Sequence, residues 1–256
     1  MAQRLTTLHV LRTERLTPRM IRIVAGGPGL AGFPDVTYTD RYVKIVFPRS
    51  GIAYPEPFDL AVIRREMPRH QWPLLRTYTV RYLNFATSEL AIDVVLHDGA
   101  GVAASWAAAA RPGDVLRLLG PYGAYAPEPS AAWHLLVGDE SALPAIAATL
   151  ERLPSDSLAV VRVEVADAAE EQPLITPMRA DVRWVHRDSA PPNPLVSEVV
   201  QLTFPPGEVH GFVHGEAGQV RTLRKHLVEE RGIPRSHLSI SGYWRRGRDE
   251  DGHRVG

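Results

Sequence analysis

The chain has 256 residues, enough for two domains of about 100 to 150 residues that each bury a core of their own. Its 29 basic and 29 acidic residues leave no formal net charge, which argues against a nucleic-acid-binding protein. The sequence contains no cysteine, which excludes disulfides, thiolate nucleophiles and cysteine-held iron–sulfur clusters. No apolar run approaches the ~20 residues that span a bilayer and the first ten residues lack the apolar core of a secretory signal, so we expect no membrane insertion and a cytoplasmic protein.

The first half of the sequence predicts a series of short strands. Clusters of Gly, Pro, Asp and Asn separate six candidate strands, at residues 7–16, 19–25, 41–47, 75–84, 89–97 and 114–119. Because hardly any helix separates them, they favour an antiparallel barrel or sandwich. The proline-rich segment 48–73 predicts a long loop with one helical turn near Leu60 to Arg65.

A glycine motif in this half, GPGLAG at residues 27–32, matches the G-x-G-x-x-G pattern of dinucleotide-binding proteins. That function requires a helix to begin at the motif. Pro28 stands inside it and FPDV follows it, so the segment predicts a turn instead.

The strand that contains LLRTYTVR, residues 74–81, carries the first functional signal. In a strand, Arg76 and Tyr78 share one face while Thr79 and Arg81 point to the other. A guanidinium binds phosphate, a tyrosine ring covers an aromatic plane, and a threonine hydroxyl can serve a ring nitrogen. Flavin adenine dinucleotide contains all three partners. The alternative is an ordinary amphipathic strand with two solvated arginines.

An alanine-rich helix is predicted from about Val102 to a point before Pro112. Its N-terminus, reached through glycines 99 and 101, would offer backbone N–H groups and the positive end of the helix dipole to an anion. A pyrophosphate would fit against residues 102–105. The alternative is that the small residues only allow close helix packing.

The second half alternates strands with helices. The segments WHLLV, LAVVRVEVAD, VRWVHR, EVHGFVHG and HLSISGYW predict five strands, and helices follow GDES and begin near Glu216. This order predicts a parallel sheet in a doubly wound domain, whose ligands bind beyond the carboxyl ends of the strands. The rule selects five places: residues 138–141, Asp167, Arg187, residues 214–217 and residues 243–248.

Histidine spacing gives no metal site. His210 and His214 are four residues apart but fall in an apparent strand, where they would lie ~13 Å from each other. That separation is too large for one zinc ion bound at ~2.0 Å by each ligand. Serine-hydrolase and P-loop motifs are absent from the sequence as well.

Taken together, the motifs RTYTVR, GVAASWA, GDESALPAI, VEVADAAEEQPL, FVHGEAG and SGYWRRGRDEDG resemble the siderophore-interacting proteins. These are FAD-dependent ferric-siderophore reductases related to the ferredoxin–NADP reductases. The resemblance implies a six-stranded FAD-binding β-barrel at residues 1–127. It also implies an NAD(P)H-binding α/β domain with a C-terminal tail at residues 128–256, and reduction of a ferric siderophore that releases iron inside the cell.

The resemblance also implies roles for individual residues. Arg76 would bind the flavin phosphate, Tyr78 would cover the isoalloxazine, and Thr79 would lie near its reactive edge. Ala104 stands where relatives often have serine, so backbone N–H groups would hold the pyrophosphate there together with Ser105. The implied FAD contacts are Arg76, Thr77, Tyr78, Thr79, His97, Val102, Ala103, Ala104, Ser105, Asp139, Ser141 and Trp244.

For the nicotinamide donor, the predicted contacts are Arg187, Gly215, Glu216, Arg221 and Arg224. Arginines would suit the 2′-phosphate of NADPH, whereas a carboxylate such as Glu164 or Asp167 would suit the free ribose hydroxyl of NADH. Both coenzymes stay open, and the arginines favour NADPH.

Ferric siderophores are often anionic, and the family is expected to bind them on a basic cluster. Lys44 matches one member of that cluster, and Arg245, Arg246 and Arg248 are candidates for the others. For each of these arginines the alternative is a solvated, charged tail.

The chemistry of the predicted reaction explains the need for flavin. Nicotinamide gives two electrons as hydride and ferric iron accepts one, so an intermediary must divide them. No residue is predicted as a general acid or base. Two alternatives remain: a related reductase that serves a protein partner or free flavin, and a siderophore carrier without enzymatic activity.

Overall fold

The computed structural model of the chain describes residues 5–97, 101–188 and 192–247, which form two compact units. The first unit combines the residues up to Glu14 with Ile21–Val36 and Tyr42–Tyr122. The second combines Arg15–Met20, Thr37–Arg41 and the residues from Gly123 onward. Each unit therefore brings together segments that are distant in the sequence.

The first unit contains a closed six-stranded barrel with the strand order β1-β2-β5-β4-β3-β6. Antiparallel pairing joins β1 to β6, β6 to β3, β3 to β4 and β4 to β5. The predicted six-stranded antiparallel barrel is confirmed. The strands are β1 Leu5–Thr17, β2 Met20–Gly26, β3 Tyr42–Phe47, β4 Leu74–Asn84, β5 Glu89–Val95 and β6 Val115–Tyr122.

Alternating side chains of these strands fill the barrel, as the two-residue period of a strand requires. Leu8, Ile23, Ile45, Ile92 and Leu118 belong to one core cluster and none is more than 2% exposed. Helix α2, Val102–Ala109, packs Val102 and Trp106 against this cluster, and the Trp106 ring meets Phe47 edge-on with ring centroids 5.8 Å apart. The helix therefore closes part of the barrel surface.

The long loop between β3 and β4 contains the expected helical turn as α1, Leu60–Glu66. The Asp59 carboxylate caps this helix by accepting hydrogen bonds from the N–H groups of Ala61 and Val62. The GPGLAG segment forms a short 3-10 helix, Pro28–Gly32, so the turn is confirmed. A Cβ atom at Gly29 would lie only 2.3 Å from the Thr7 carbonyl oxygen, and this close approach explains the glycine.

The second unit contains a five-stranded sheet with the order β11-β10-β7-β8-β9, in which every neighbouring pair is parallel. The predicted parallel α/β fold is confirmed. Its strands are β7 Trp133–Asp139, β8 Leu158–Val165, β9 Arg179–His186, β10 Val209–Glu216 and β11 Leu238–Trp244, and its helices are α3 Leu143–Leu150, α4 Pro194–Val200 and α5 Ala217–Lys225, the last continued by a π-helical turn, His226–Glu230.

The central strand of this sheet is covered on both faces, and every residue of β7 is buried. Trp133, Leu135 and Val137 of this strand share a core cluster with Val199 of α4 and Leu223 of α5. Helix α4 was not expected from the sequence, because it begins at the last proline of PPNP, a sequence typical of a loop, and has only seven residues.

Arg162 is a charged residue buried inside the sheet. Arg162 of β8 is 1% exposed and donates to the carboxylates of Asp181, at 2.7 Å, and Glu198, at 2.9 Å. It also donates to the carbonyl oxygens of Val161 and Asp181. Arg183 reaches the same two carboxylates from outside, at 3.8 Å and 3.4 Å, but its side chain is 62% exposed. Of these two arginines, Arg162 is the one that is both buried and paired with the two carboxylates.

We expect Arg162→Ala to lower the free energy of unfolding by about 2 to 4 kcal/mol, because it leaves a cavity and removes the buried partner of two carboxylates. Arg183→Ala is the matched control and should change it by less than about 0.5 kcal/mol. Urea unfolding followed by tryptophan fluorescence measures both. Equal losses in the two variants would contradict the role given to Arg162.

Candidate functional site

Strand β4 presents the side chains predicted to bind flavin. In its pairing with β3, Arg76 lies opposite Ile45 and Tyr78 opposite Val43. Both partners belong to the barrel core, and Tyr78 itself packs against that core. Arg76 is partly buried and donates a hydrogen bond to the Leu75 carbonyl oxygen at 2.8 Å. The guanidinium and the phenol ring therefore share one face of the strand, as a phosphate and an adjoining ring system would require.

The opposite face of β4 carries Thr77, which is exposed, and Thr79, which is 7% exposed. Lys44 of β3 lies directly across from Thr77, and its other neighbour in the sheet is Leu119 of β6. Lys44 is partly buried. The predicted substrate lysine and the two threonines therefore lie on a different face from Arg76.

The N-terminus of α2 is the second feature of the first unit. Gly101 precedes the helix and has no side chain with which to cap it, whereas α1 is capped by a carboxylate. The first helical hydrogen bond runs from the Ser105 N–H to the Gly101 carbonyl oxygen at 3.0 Å. A Cβ atom at Gly101 would lie 3.0 Å from Cε1 of His97, so the ring of His97 adjoins this end of the helix.

The residues at this end of the helix fit a diphosphate. Ala103 and Ala104 are buried, so access to the first turn runs through the backbone rather than through long side chains. Uncapped N–H groups and the positive end of the dipole attract anions. The chain thus offers an arginine, a partly buried tyrosine and a helix N-terminus, which are the groups that FAD needs.

In the second unit, the order in which strands are added to the sheet changes side between β7 and β10. The strands β8 and β9 follow on one side of β7, while β10 and β11 lie on the other. Ligands of such sheets bind beyond the carboxyl ends of the strands at this change of side. A Cβ atom at Gly138 would lie 2.8 Å from the His214 carbonyl oxygen, and one at Gly215 would lie 2.6 Å from Oδ2 of Asp139. Glycines thus allow the two strand ends to approach closely.

Asp139 ends β7 and binds the last residue of β11. Its carboxylate accepts hydrogen bonds from the Ser141 N–H at 2.9 Å, from the Ser141 hydroxyl, and from the indole N–H of Trp244 at 2.7 Å. Burial raises the pKa of Asp139, and the bonds from Ser141 and Trp244 oppose that rise. The three residues predicted as flavin contacts in this half of the chain are therefore joined to each other, and their contact with flavin stays a prediction.

Arg187, the residue after β9, lies between two carboxylates. Its guanidinium donates to Glu140 at 2.5 Å and 3.2 Å, and to Glu164 at 3.1 Å. Glu140 is 8% exposed and Glu164 is 2% exposed. Burial raises the pKa of Glu140 to about 7, although the Arg187 charge opposes that rise. The arginine predicted to bind coenzyme is thus already paired within the protein.

Two adjoining cavities open beside these residues. The larger measures about 580 Å³ and includes Glu164, Arg187 and Trp244 in its lining. The smaller measures about 300 Å³ and includes Glu216, Gly218 and Thr222. Both are lined by Asn193, Gln219 and Arg246. We call the pair the carboxyl-end groove.

Sequence reasoning missed several residues of the carboxyl-end groove. Asn193 has a left-handed backbone with φ of 58° and Pro194 begins α4. Gln219 and Thr222 lie on α5, and Gln219 is buried. The rule for parallel sheets could have indicated Gln219, because it stands in the first turn after a strand end. Asn193 and Pro194 depended on the unexpected helix.

The remaining predicted coenzyme and substrate residues are placed as follows. Glu216 caps α5, and Arg224 donates to the Ile240 carbonyl oxygen at 2.5 Å. Arg221 is exposed on α5. Arg245 and Arg246 are exposed after β11, and only Arg246 lines the groove. Arg248 lies outside the described residues.

Among the described residues, no helix has both the length and the apolar character needed to cross a membrane. In the same part of the chain, no group of three or more His, Asp or Glu side chains could hold a metal ion.

An antiparallel barrel followed by a parallel five-stranded sheet is the architecture of ferredoxin reductase-like proteins. Comparison with known families is more specific. Residues 9–125 match the siderophore-interacting FAD-binding domain, and residues 131–247 match the siderophore-interacting protein model. The chain belongs to the siderophore-interacting protein family, and FAD is the cofactor of its barrel domain. The resemblance found in the sequence motifs is confirmed.

Three relatives illustrate the similarity. Ferric vibriobactin reductase ViuB of Vibrio cholerae is 33% identical, and the match covers 96% of this chain and 91% of that protein. NADPH-dependent ferric-chelate reductase of Escherichia coli is 32% identical, with 94% and 93% covered. The crystal structure of a siderophore utilization protein from T. fusca has 37% identity and a TM-score of 0.83, with 97% and 95% covered.

The raised pKa of Glu140 predicts a pH dependence of stability. The ordinary pKa of this carboxyl is 4.5, whereas the pKa of Glu140 in the folded chain is about 7. Between pH 4.5 and 7 the folded chain therefore keeps a proton on Glu140 that the unfolded chain has lost. Stability therefore falls as the pH rises from about 4.5 to about 7. We expect the wild type to lose up to about 3 kcal/mol relative to Glu140→Gln over this range.

Urea unfolding of both proteins at intervals of pH measures this difference. The comparison removes the contributions of all other titrating groups, because those are common to both chains. A constant difference between pH 4.5 and 7 would show that Glu140 keeps its ordinary pKa.

Proposed function

We propose that the chain is an NAD(P)H-dependent flavoprotein that reduces the iron of a ferric siderophore. The observation that carries the proposal is the combination, in the first unit, of Arg76 and Tyr78 on one strand face with the N-terminus of α2, whose N-cap residue is a glycine. The names of the Vibrio cholerae and Escherichia coli relatives as ferric reductases support the reaction class.

In this proposal residues 1–127 hold FAD and residues 128–256 hold the nicotinamide donor. Arg76 binds the phosphate, Tyr78 covers the ring system and Thr79 supplies a hydroxyl. The first turn of α2, with Ser105 and the adjoining His97, receives the pyrophosphate through backbone N–H groups. Ala104 keeps that approach short, since it has no side chain that reaches beyond its own Cβ.

The donor binds in the carboxyl-end groove of the second unit. Its lining includes acceptors, such as Glu164, and amide side chains, such as Asn193 and Gln219, which suit the hydroxyls of ribose and the edges of the bases. Arg246 is the exposed cation of the lining and suits a phosphate of the donor.

The acceptor is an anionic iron chelate. Lys44, which lies opposite Thr77 in the barrel, is the proposed contact in the first unit, and the exposed Arg245 is a proposed contact in the second. Bound FAD would supply the chemistry that divides the two electrons of the nicotinamide donor into single-electron transfers to iron. The protein's own task is to orient both ligands, and the proposal assigns no proton transfer to a side chain.

The visible spectrum of the purified protein, followed by anaerobic addition of NADH and NADPH, tests flavin and donor together. We expect a yellow protein that is bleached by at least one donor and recovers its colour when a ferric siderophore is added. Uniformly slow recovery with every chelate would favour an acceptor that is a protein or free flavin. A colourless protein that takes up no FAD would favour a siderophore carrier.

Two substitutions separate the cofactor role from the substrate role. Arg76→Ala should weaken FAD binding roughly tenfold or more, because it removes a charge-assisted contact to phosphate. Lys44→Ala should leave FAD binding unchanged and should raise the KM for an anionic chelate several-fold. Arg65→Ala, on the exposed side of α1, is the matched control. Equilibrium dialysis of FAD and steady-state kinetics measure the two effects, and the reverse pattern would refute both assignments.

A further inference from the structure

Besides the exposed side chain of Arg246, two positive centres adjoin the carboxyl-end groove, and each of these two is paired with a carboxylate of the protein. The first is the N-terminus of α5. One oxygen of Glu216 accepts hydrogen bonds from the N–H groups of Gly218 at 2.6 Å and Gln219 at 3.0 Å. Its other oxygen accepts from the Arg246 N–H at 3.3 Å. The place where a helix would bind a phosphate is thus taken by a side chain of the protein.

The second centre is the Arg187 guanidinium. Nη1 and Nη2 both donate to Glu140, and Nη1 also donates to Glu164. The side chains of Glu140 and Glu164 are only 11% and 2% exposed, so water screens these charges little. The positive charge of Arg187 is therefore compensated inside the protein.

Glu164 retains hydrogen-bonding capacity toward a ligand. Beyond the Arg187 contact, its oxygens accept long hydrogen bonds from two other described residues, the Gln219 amide at 3.3 Å and the Leu195 N–H at 3.4 Å. A carboxylate has about four acceptor positions, and the residue lines the larger cavity. A ribose hydroxyl is a donor that such a carboxylate can accept. A phosphate at the same place would be repelled by the carboxylates of Glu140 and Glu164. The positive charge of Arg187 is already paired with these carboxylates.

We propose that Glu164 and Glu140 make the carboxyl-end groove selective for NADH over NADPH, by accepting the ribose hydroxyl and repelling a 2′-phosphate. The inference rests on the proposed function, since it takes the groove to be the coenzyme site. It differs from the coenzyme in the name of the Escherichia coli relative. It also reverses the simplest interpretation of the sequence, in which Arg187 and Arg224 indicate a phosphate site.

The test is calorimetric binding of NAD⁺ and NADP⁺ to the FAD-loaded protein at about pH 8, where Glu140 is ionised. The oxidised coenzymes allow affinity to be measured without turnover. We expect the Kd for NADP⁺ to exceed that for NAD⁺ by roughly tenfold or more. The same order should hold for 2′,5′-ADP against 5′-AMP, which isolates the contribution of the ribose.

Glu140→Gln and Glu164→Gln should each lower the ratio of the two Kd values at least several-fold, because each leaves Arg187 with one carboxylate fewer. Glu229→Gln is the matched control, since Glu229 is exposed on the π-helical turn after α5 and should leave the ratio unchanged. Circular dichroism checks folding, and Glu140→Gln decides the outcome if the Glu164 variant does not fold.

Tighter binding of NADP⁺ than of NAD⁺ by the wild type would overturn this inference and leave the proposed reductase intact. An unchanged ratio in the folded glutamine variants would overturn it too. If neither coenzyme nor either adenosine phosphate binds, the groove is not the donor site and the proposed function fails with the inference.

Discussion

The ion pairs of Arg187 join three consecutive strands at one edge of the sheet. Glu140 follows β7, Glu164 lies near the end of β8, and Arg187 follows β9. A parallel sheet brings such strand ends together, and the buried carboxylates require a counter-charge there. The arrangement lowers the cost of burying charge, but burial still raises the pKa of Glu140. The same interaction fixes the electrostatic character of the groove that the ends of these strands surround.

The two units thus offer anions different environments. In the barrel unit, the N-cap residue of α2 is Gly101, which has no capping side chain, and the first turn contains buried alanines. In the second unit, α5 is capped by Glu216 and Arg187 is held by two carboxylates. A cofactor that carries a pyrophosphate suits the first environment. A ligand that is recognised largely through its hydroxyls and amides suits the second environment.

Much of the fold could be predicted because the signals are local. Strand β1 alternates buried and exposed side chains over its first half, and the central parallel strand β7 is buried throughout. Helix α4 was missed because a short helix after PPNP has a weak periodic signal. The turn at residues 27–32 was distinguished from a dinucleotide motif by Pro28 inside the motif and by the FPDV segment that follows it, since both disfavour the helix that such a motif requires.

The candidate site was less accessible to sequence reasoning. Residue types, and the rule that ligands bind beyond the carboxyl ends of parallel strands, selected Arg187, Glu216 and Arg224 as coenzyme contacts. From the sequence, each arginine was expected to be available to bind phosphate. The folded chain uses Arg224 to bind the Ile240 carbonyl oxygen and Arg187 to bind Glu140 and Glu164. Charge compensation depends on distances between residues far apart in sequence, and no local pattern encodes those distances.

The sequence by itself determined the family, the two kinds of sheet, and the strand that presents Arg76, Tyr78 and Thr79. These follow from motif order and from hydrophobic periods, which act over a few residues. Only the tertiary structure decided which charges remain available to a ligand. A parallel sheet places its strand ends side by side regardless of their separation in sequence, so the partners of Arg187 became known only when β7, β8 and β9 were seen together.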